Sequence, residues 1–342
     1  MRWPNGTRGS SARHPGANSP AGAAGFDHGD ASRVSAELGS AKAWLAGVAL
    51  LCGVAALAMF PGQAWSGSAR DYLSAPIDTW LTFYNFGYST AVTPEDGMDL
   101  TSSIRSNVLS QSIVVTRTMD YWGRTGGISV VLPYRSLNAA SDAFGAANQG
   151  ISDLGFLWQV NIFGAPALTR EQFRAYVPQP FASFHLFLGT PLGKYDPTNP
   201  LNPSANRWTF FPTVNYSYTP DRGWTWFETY LSTKIFTANA DYRVGGASSL
   251  AQKPLFLIEE HASRNLTRAL WLAADAYYNA GGETSIDSVG QGNAADTLRI
   301  GVGAGVSLWA GGDLTLNYDR VVAKPVGEPD AQTLRMTLRQ VW

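Results

Sequence analysis

The chain has 342 residues and a formal net charge of -1, with 25 Lys and Arg against 26 Asp and Glu. That balance leaves no basic footprint for a nucleic-acid partner, and the single cysteine, Cys52, excludes a disulfide framework and a cysteine-built metal site. Charged residues make up only 15% while aromatics reach 12%, and the mean hydropathy of -0.10 comes without the apolar blocks that several membrane helices would need.

Residues 1–41 are rich in Gly, Ser, Ala and Pro without a hydrophobic period. They read as a disordered extension or as the product of an upstream start site. Residues 42–69, "KAWLAGVALLCGVAALAMFPGQAWSGSA", have the form of a signal peptide. Lys42 is the positive flank, Ala43 to Phe60 the apolar stretch, and Pro61 and Gly62 the break before small residues. Cleavage between Ala64 and Ala69 starts the mature chain close to Arg70, so the mature domain is placed at 70–342. Leu50 and Leu51 stand where a lipoprotein site needs small residues, so Cys52 is expected to be an ordinary residue of the apolar run.

After Arg70 nearly every patterned segment has period 2, as expected of strands with one apolar and one polar or small face. Ile128, Val130, Leu132 and Tyr134 share one face. Leu154, Phe156, Trp158, Val160 and Ile162 oppose Asp153, Gly155, Gln159 and Asn161. Leu298, Ile300, Val302, Ala304, Val306 and Leu308 oppose Arg299, Gly301, Gly303, Gly305 and Ser307. An inner face made of glycine and one arginine cannot fill a soluble core. An apolar outer face around a polar interior is the pattern of an outer-membrane β-barrel.

About twelve strands are expected, near 78–90, 104–119, 124–136, 152–163, 178–190, 206–218, 224–237, 254–264, 269–280, 297–308, 313–323 and 331–342. An all-β, antiparallel up-and-down barrel results, with both termini at the periplasmic side. Long connections alternate with tight turns at 119–124, 219–223, 265–268 and 309–312. The exception is "GAPALTREQF" at 164–173, where Thr169 is a candidate helix cap. Trp80, Tyr121, Trp122, Trp208, Trp224, Trp226, Trp271 and Trp309 fall at strand ends, where headgroup-level aromatic girdles form. The last strand, "TLRMTLRQVW", alternates and ends on Trp342, the kind of signal the barrel assembly machinery reads.

Strand parity puts Glu228, Tyr230, Glu259, His261, Asp275, Arg299, Asn317, Asp319, Arg335 and Arg339 on the lumen side and Glu260 towards lipid. The lumen set either tunes which solutes pass or forms an ion-pair network in a plugged, structural barrel. A lipid hydrolase would need a serine, a histidine and an orienting carboxylate at the lipid-facing rim. After Arg70 the histidines are His185 and His261, the latter with Ser263 and Asp275 near it. No G-x-S-x-G elbow, P-loop or H-E-x-x-H is present. The expectation is a non-enzyme without cofactor or metal.

The stretches "ARDYLSAP" (69–76), "NIFGAPALTREQF" (161–173), "TPLGKYDPTNPLNPSANRWTF" (190–210), "FTANADYRVGG" (236–246), "QKPLFLIEEHAS" (252–263) and "LWLAADAYYNAGGETSID" (270–287) resemble, in order, motifs of the outer-membrane transporter family named for the MetA pathway of phenol degradation. "FFPTVN" at 210–215 departs from the usual charge pattern of that family. The resemblance implies a barrel in the outer-membrane bilayer of a Gram-negative bacterium that passes small solutes, aromatic or hydrophobic compounds among them. Phe144, Leu201 and Leu250 in the loops are then candidates for an uptake site.

Overall fold

A backbone inside hydrocarbon must satisfy every N–H and C=O within the protein, which leaves a closed barrel as the only spanning form open to strands. The computed structural model describes residues 67–94, 103–142 and 145–342. The extension and most of the expected signal segment lie outside these residues.

Among the described residues there are sixteen strands: β1 (Trp80–Pro94), β2 (Ser103–Tyr121), β3 (Arg124–Ala140), β4 (Gly145–Ile151), β5 (Gly155–Phe163), β6 (Phe181–Gly189), β7 (Thr209–Tyr218), β8 (Thr225–Phe236), β9 (Leu250–Gln252), β10 (Leu255–Asn265), β11 (Leu270–Gly281), β12 (Thr284–Ile286), β13 (Val289–Gly290), β14 (Ala295–Trp309), β15 (Gly312–Ala323) and β16 (Asp330–Val341). Twelve of them, all but β4, β9, β12 and β13, form an antiparallel ring in which each strand pairs with its neighbours. β1 closes the ring on β16 from Leu81↔Val341 to Val92↔Asp330. The strand at each expected position is there, displaced by a few residues at its ends.

The extra strands belong to the long connections. β4 pairs with the outer half of β3, while the inner half of β3 pairs with β5. β9, β12 and β13 make a small separate sheet. Asp287 fastens it by accepting bonds from the Ser248 hydroxyl at 2.6 Å and the Ser249 amide at 2.9 Å.

The tight turns follow backbone chemistry. Trp122 and Gly123, at φ 55° and 80°, and Arg222 and Gly223, at φ 59° and 91°, each put two successive residues in the left-handed region. Paired positive φ of this kind matches the twist of the flanking strands. The helix in the 164–173 stretch is one turn, α1 (Arg170–Phe173), with Thr169 as its cap. The reciprocal partner is Gln172, whose amide bonds back to Thr169.

The outer face is apolar as the alternation requires: Ile128, Val130, Leu132, Ile300 and Val302 are exposed to the surroundings of the barrel. Glu260 is on that face too, bonded by the Thr229 hydroxyl at 2.9 Å. Trp80, Trp122, Trp208, Trp224 and Trp309 are exposed at strand ends. Two of the expected girdle residues face inward. Trp226 is buried against Phe181 and Ala165, and Trp271 lies inside beneath the Arg70 guanidinium. Both have inward parity, which outweighs their position near a turn. Placing Arg at Ile300, mid-strand on the lipid face, is expected to cost about 2–4 kcal/mol. Equilibrium unfolding of the variant in lipid vesicles, against an Arg at exposed Trp122, measures it.

Candidate functional site

The interior is built by cross-strand register. On the inner face His261 stands opposite Asp275 of β11 and Glu228 of β8, and Glu259 opposite Tyr230 and Tyr277. β14 places Arg299 opposite Tyr277 and Gly301 opposite Asp319. The glycines of β14 have a positive reason to be glycine. A side chain at Gly305 would overlap the Trp271 ring at 2.2 Å, and one at Gly303 would meet Asn317 Nδ2 at 2.5 Å. They let large side chains of the neighbouring strands lie flat across the wall.

Glu228, Tyr230, Glu259, His261, Asp275, Arg299, Asn317, Asp319 and Arg335 are all buried in this interior, and all but Asn317 fall into two groups. In the first, the Tyr230 hydroxyl donates to Glu228 Oε1 at 3.0 Å. His261 Nδ1 pairs with Asp275 at 2.7 Å, and its Nε2 is 3.6 Å from Glu259 Oε2. In the second, Asp319 receives Arg299 Nε at 2.6 Å and Arg335 Nη2 at 2.7 Å. Tyr277 lies under both guanidiniums, 4.8 and 5.4 Å from its ring centre. Arg339 pairs with Asp313 nearer the turns.

The segment before β1 enters this interior. Gly67 N donates to Glu259 Oε2 at 2.7 Å, and Arg70 N to Glu228 Oε2 at 2.7 Å. The Arg70 side chain donates to Ser263 Oγ at 2.9 Å and lies over Trp271 at 4.9 Å. Tyr72 packs on His185 at 3.9 Å and on Tyr230 at 4.7 Å between ring centres. Arg70 has φ 72°, a strained state for a residue with a side chain that costs on the order of 1–3 kcal/mol and persists only where contacts impose it. Gly67 could carry no side chain, since its Cβ would sit 2.6 Å from the Tyr230 ring. The lumen role of this segment is not legible in the sequence, because a segment without a period gives no parity to read.

Beyond this segment the interior holds a cavity of about 270 Å³. Tyr72, Asp71 and His185 line it together with Phe83, Phe187, Phe211, Lys234 and, outermost, Arg135 and Asp153. Asp153 ties the outer rim together by accepting the Ala205 amide at 2.8 Å, the Gly193 amide at 3.2 Å and the Ser204 hydroxyl. Burial holds its carboxyl above the usual carboxylate range despite these bonds. Of the loop residues expected at an uptake site, Leu201 is buried against Ile104, Leu137 and Ala139. Leu250 is taken up by β9, and Phe144 lies outside the described residues.

The hydrolase alternative finds no suitable geometry. Ser263 is held by Arg70, not His261, and both lie inside the barrel and not at the lipid-facing rim. Ser183 does bond His185 Nε2 at 2.7 Å, but Nδ1 of that ring is buried with no partner among the described residues, so no carboxylate orients it. Among the described residues no group of His, Cys, Asp and Glu is arranged to hold a metal ion.

A ring of twelve strands, apolar outside and charged inside, is a β-barrel of the bacterial outer membrane. The chain matches the family described as "Putative MetA-pathway of phenol degradation" over residues 87–326, and it belongs to that family. Its fold is similar to that of an outer membrane channel from Pseudomonas putida F1, with a TM-score of 0.68, 19% identity, and 81% of this chain and 100% of that one covered. The transport unit of the autotransporter AIDA-I from Escherichia coli is similar at a TM-score of 0.50 and 10% identity, over 85% of this chain and 98% of the other. No relative among curated proteins matches the sequence.

The buried charges have a measurable weight. Asp319→Asn leaves two buried guanidiniums short of their shared carboxylate and is expected to destabilise the barrel by about 3–5 kcal/mol. Removing the exposed Asp78, which pairs with Arg117, should change stability by less than about 1 kcal/mol. Urea unfolding of the refolded variants compares the two.

Proposed function

We propose that the protein is a passive outer-membrane channel for small solutes, aromatic or otherwise apolar compounds among them. The observation that carries this reading is the cavity of about 270 Å³ inside the ring, closed on one side by a segment that belongs to no barrel strand. The residues around it, from Asp71 to Arg135, set which solutes enter. The Glu259–His261–Asp275 and Arg299–Asp319–Arg335 groups hold the wall and the segment in place.

A plugged barrel with a structural role is the second reading, favoured by the bonds from Gly67 and Arg70 to the wall. Proteoliposome swelling separates the two. With the mature protein, arabinose should enter slowly, and deletion of Ser68–Ser74 should raise the rate severalfold. Vesicles that stay impermeable with both proteins would overturn the channel reading.

The same contacts bear on processing. Within the window 64–69, cleavage upstream of Gly67 keeps the Gly67–Glu259 bond, whereas cleavage after Ala69 removes it. The mature protein is therefore proposed to begin between Trp65 and Gly67, after a small residue at Ala64 or Ser66. Intact-mass measurement of protein extracted from outer membranes reads the start directly, and a start at Arg70 would refute it. β16, with Trp342 directly after it, is proposed to be the segment that the assembly machinery recognises.

A further inference from the structure

The inner face of the barrel is mostly polar or small, as at Ser112, Thr116, Ser129, Thr213 and Ser232. At the level of the cavity it turns apolar. Phe83 of β1, Val114 of β2, Leu157 of β5, Phe187 of β6, Phe211 of β7 and Phe236 of β8 all line the cavity. Register sets part of this level: Leu157 stands opposite Phe187 and Phe187 opposite Phe211.

Lys234 of β8 stands in this apolar belt. Its side chain is 6% exposed, lines the cavity, and holds its ammonium 4.8 Å from the centre of the Phe211 ring. Other inward cations are held by the protein: Arg299 and Arg335 by Asp319, Arg339 by Asp313, and Arg70 by Ser263 and Asn265. Lys234 forms no ion pair and no side-chain hydrogen bond among the described residues. Glu259, on the neighbouring strand β10, is engaged by Gly67 and stands 3.6 Å from His261. An ammonium offers three donors, and no side chain takes those of Lys234, which face the cavity it lines. Contact with one aromatic face meets only a part of that need.

We propose that Lys234 binds the carboxylate of a small aromatic acid whose ring occupies the phenylalanine belt. The proposal rests on the channel reading for its role in transport, but the binding itself does not. Each alternative ligand class leaves one part of the site unused. A neutral aromatic gives the ammonium no counter-charge, an inorganic anion leaves the phenyl groups without an apolar partner, and an aromatic amine meets like charge. Volume sets the size. Pockets for drug-sized molecules run roughly 300–1,000 Å³, so about 270 Å³ suits one ring with its carboxylate. Arg135, further out towards Asp153 and also lining the cavity, would present a second positive group along the way to Lys234.

Calorimetric titration of the detergent-solubilised mature protein tests this with benzoate, benzyl alcohol, acetate and benzylamine. Benzoate is expected to bind at least about tenfold more tightly than the other three, the size of effect expected when a hydrogen bond to a charged group is lost. Lys234→Gln should remove that preference, and Lys234→Arg should retain it. Equal affinity for benzoate and benzyl alcohol in the parent overturns the proposal without recourse to any variant. So does a folded Lys234→Gln protein, judged by its heat-modifiable gel mobility, that binds benzoate as the parent does. The swelling assay distinguishes the two failures. Permeable vesicles without benzoate preference defeat this site alone, whereas benzoate binding by an impermeable barrel defeats the channel and leaves the site.

Discussion

The ladder between β1 and β16 is the constraint on which the rest of the structure depends. An open sheet in hydrocarbon would expose two rows of unpaired backbone groups, and lipid has no water to satisfy them. Here the last strand runs back along the first over twelve register pairs. Trp342 extends the closure, its amide donating to the Trp80 carbonyl at 2.9 Å and its indole to the Thr82 hydroxyl at 3.0 Å. Once the ring is closed, each strand has an inside and an outside. A one-residue slip in any strand would exchange them along its whole length.

Closure also fixes what the inside must do. Twelve strands make a lumen wider than the small barrels that side chains fill and narrower than open porins. Charges placed in it must find partners. The carboxylate of Asp319 does this between two guanidiniums, with the Tyr277 ring beneath them. Glu228 and Glu259 do it differently, by taking backbone N–H groups from the segment before β1. The two acids are therefore part of the wall and part of the docking surface for that segment.

The sequence made the wall legible and the contents much less so. Alternation located the strands because lipid on one side and a polar lumen on the other impose period 2 over every span. Parity then sorted the individual residues, down to Glu260 outside and Glu259 inside. Lys234 was open to the same reading, since it continues the face of Glu228, Tyr230 and Ser232, and Arg135 likewise alternates with Tyr134. Their meaning depends on which residues from other strands share their level, and that follows from shear and register. Position near a turn misled for Trp226 and Trp271, whose inward parity decides their side. β4, β9, β12 and β13 are short and lie beyond the lipid, where nothing enforces a period.

The strained backbone at Arg70 shows how the two kinds of bonding divide the molecule. No local preference favours a left-handed arginine, so its conformation is imposed by the groups around it: the Glu228 carboxylate on its amide, Ser263 and Asn265 on its guanidinium, and Trp271 below. Nearly all of these are side chains of β8, β10 and β11. The ladders of those strands do not include the segment, so they hold whether or not it is docked. The segment, by contrast, has no ordered partner until those side chains are in register. The closed wall is thus the prior condition for the filled lumen, and the cavity between Tyr72 and Lys234 owes its floor to contacts weaker in kind than those of its walls.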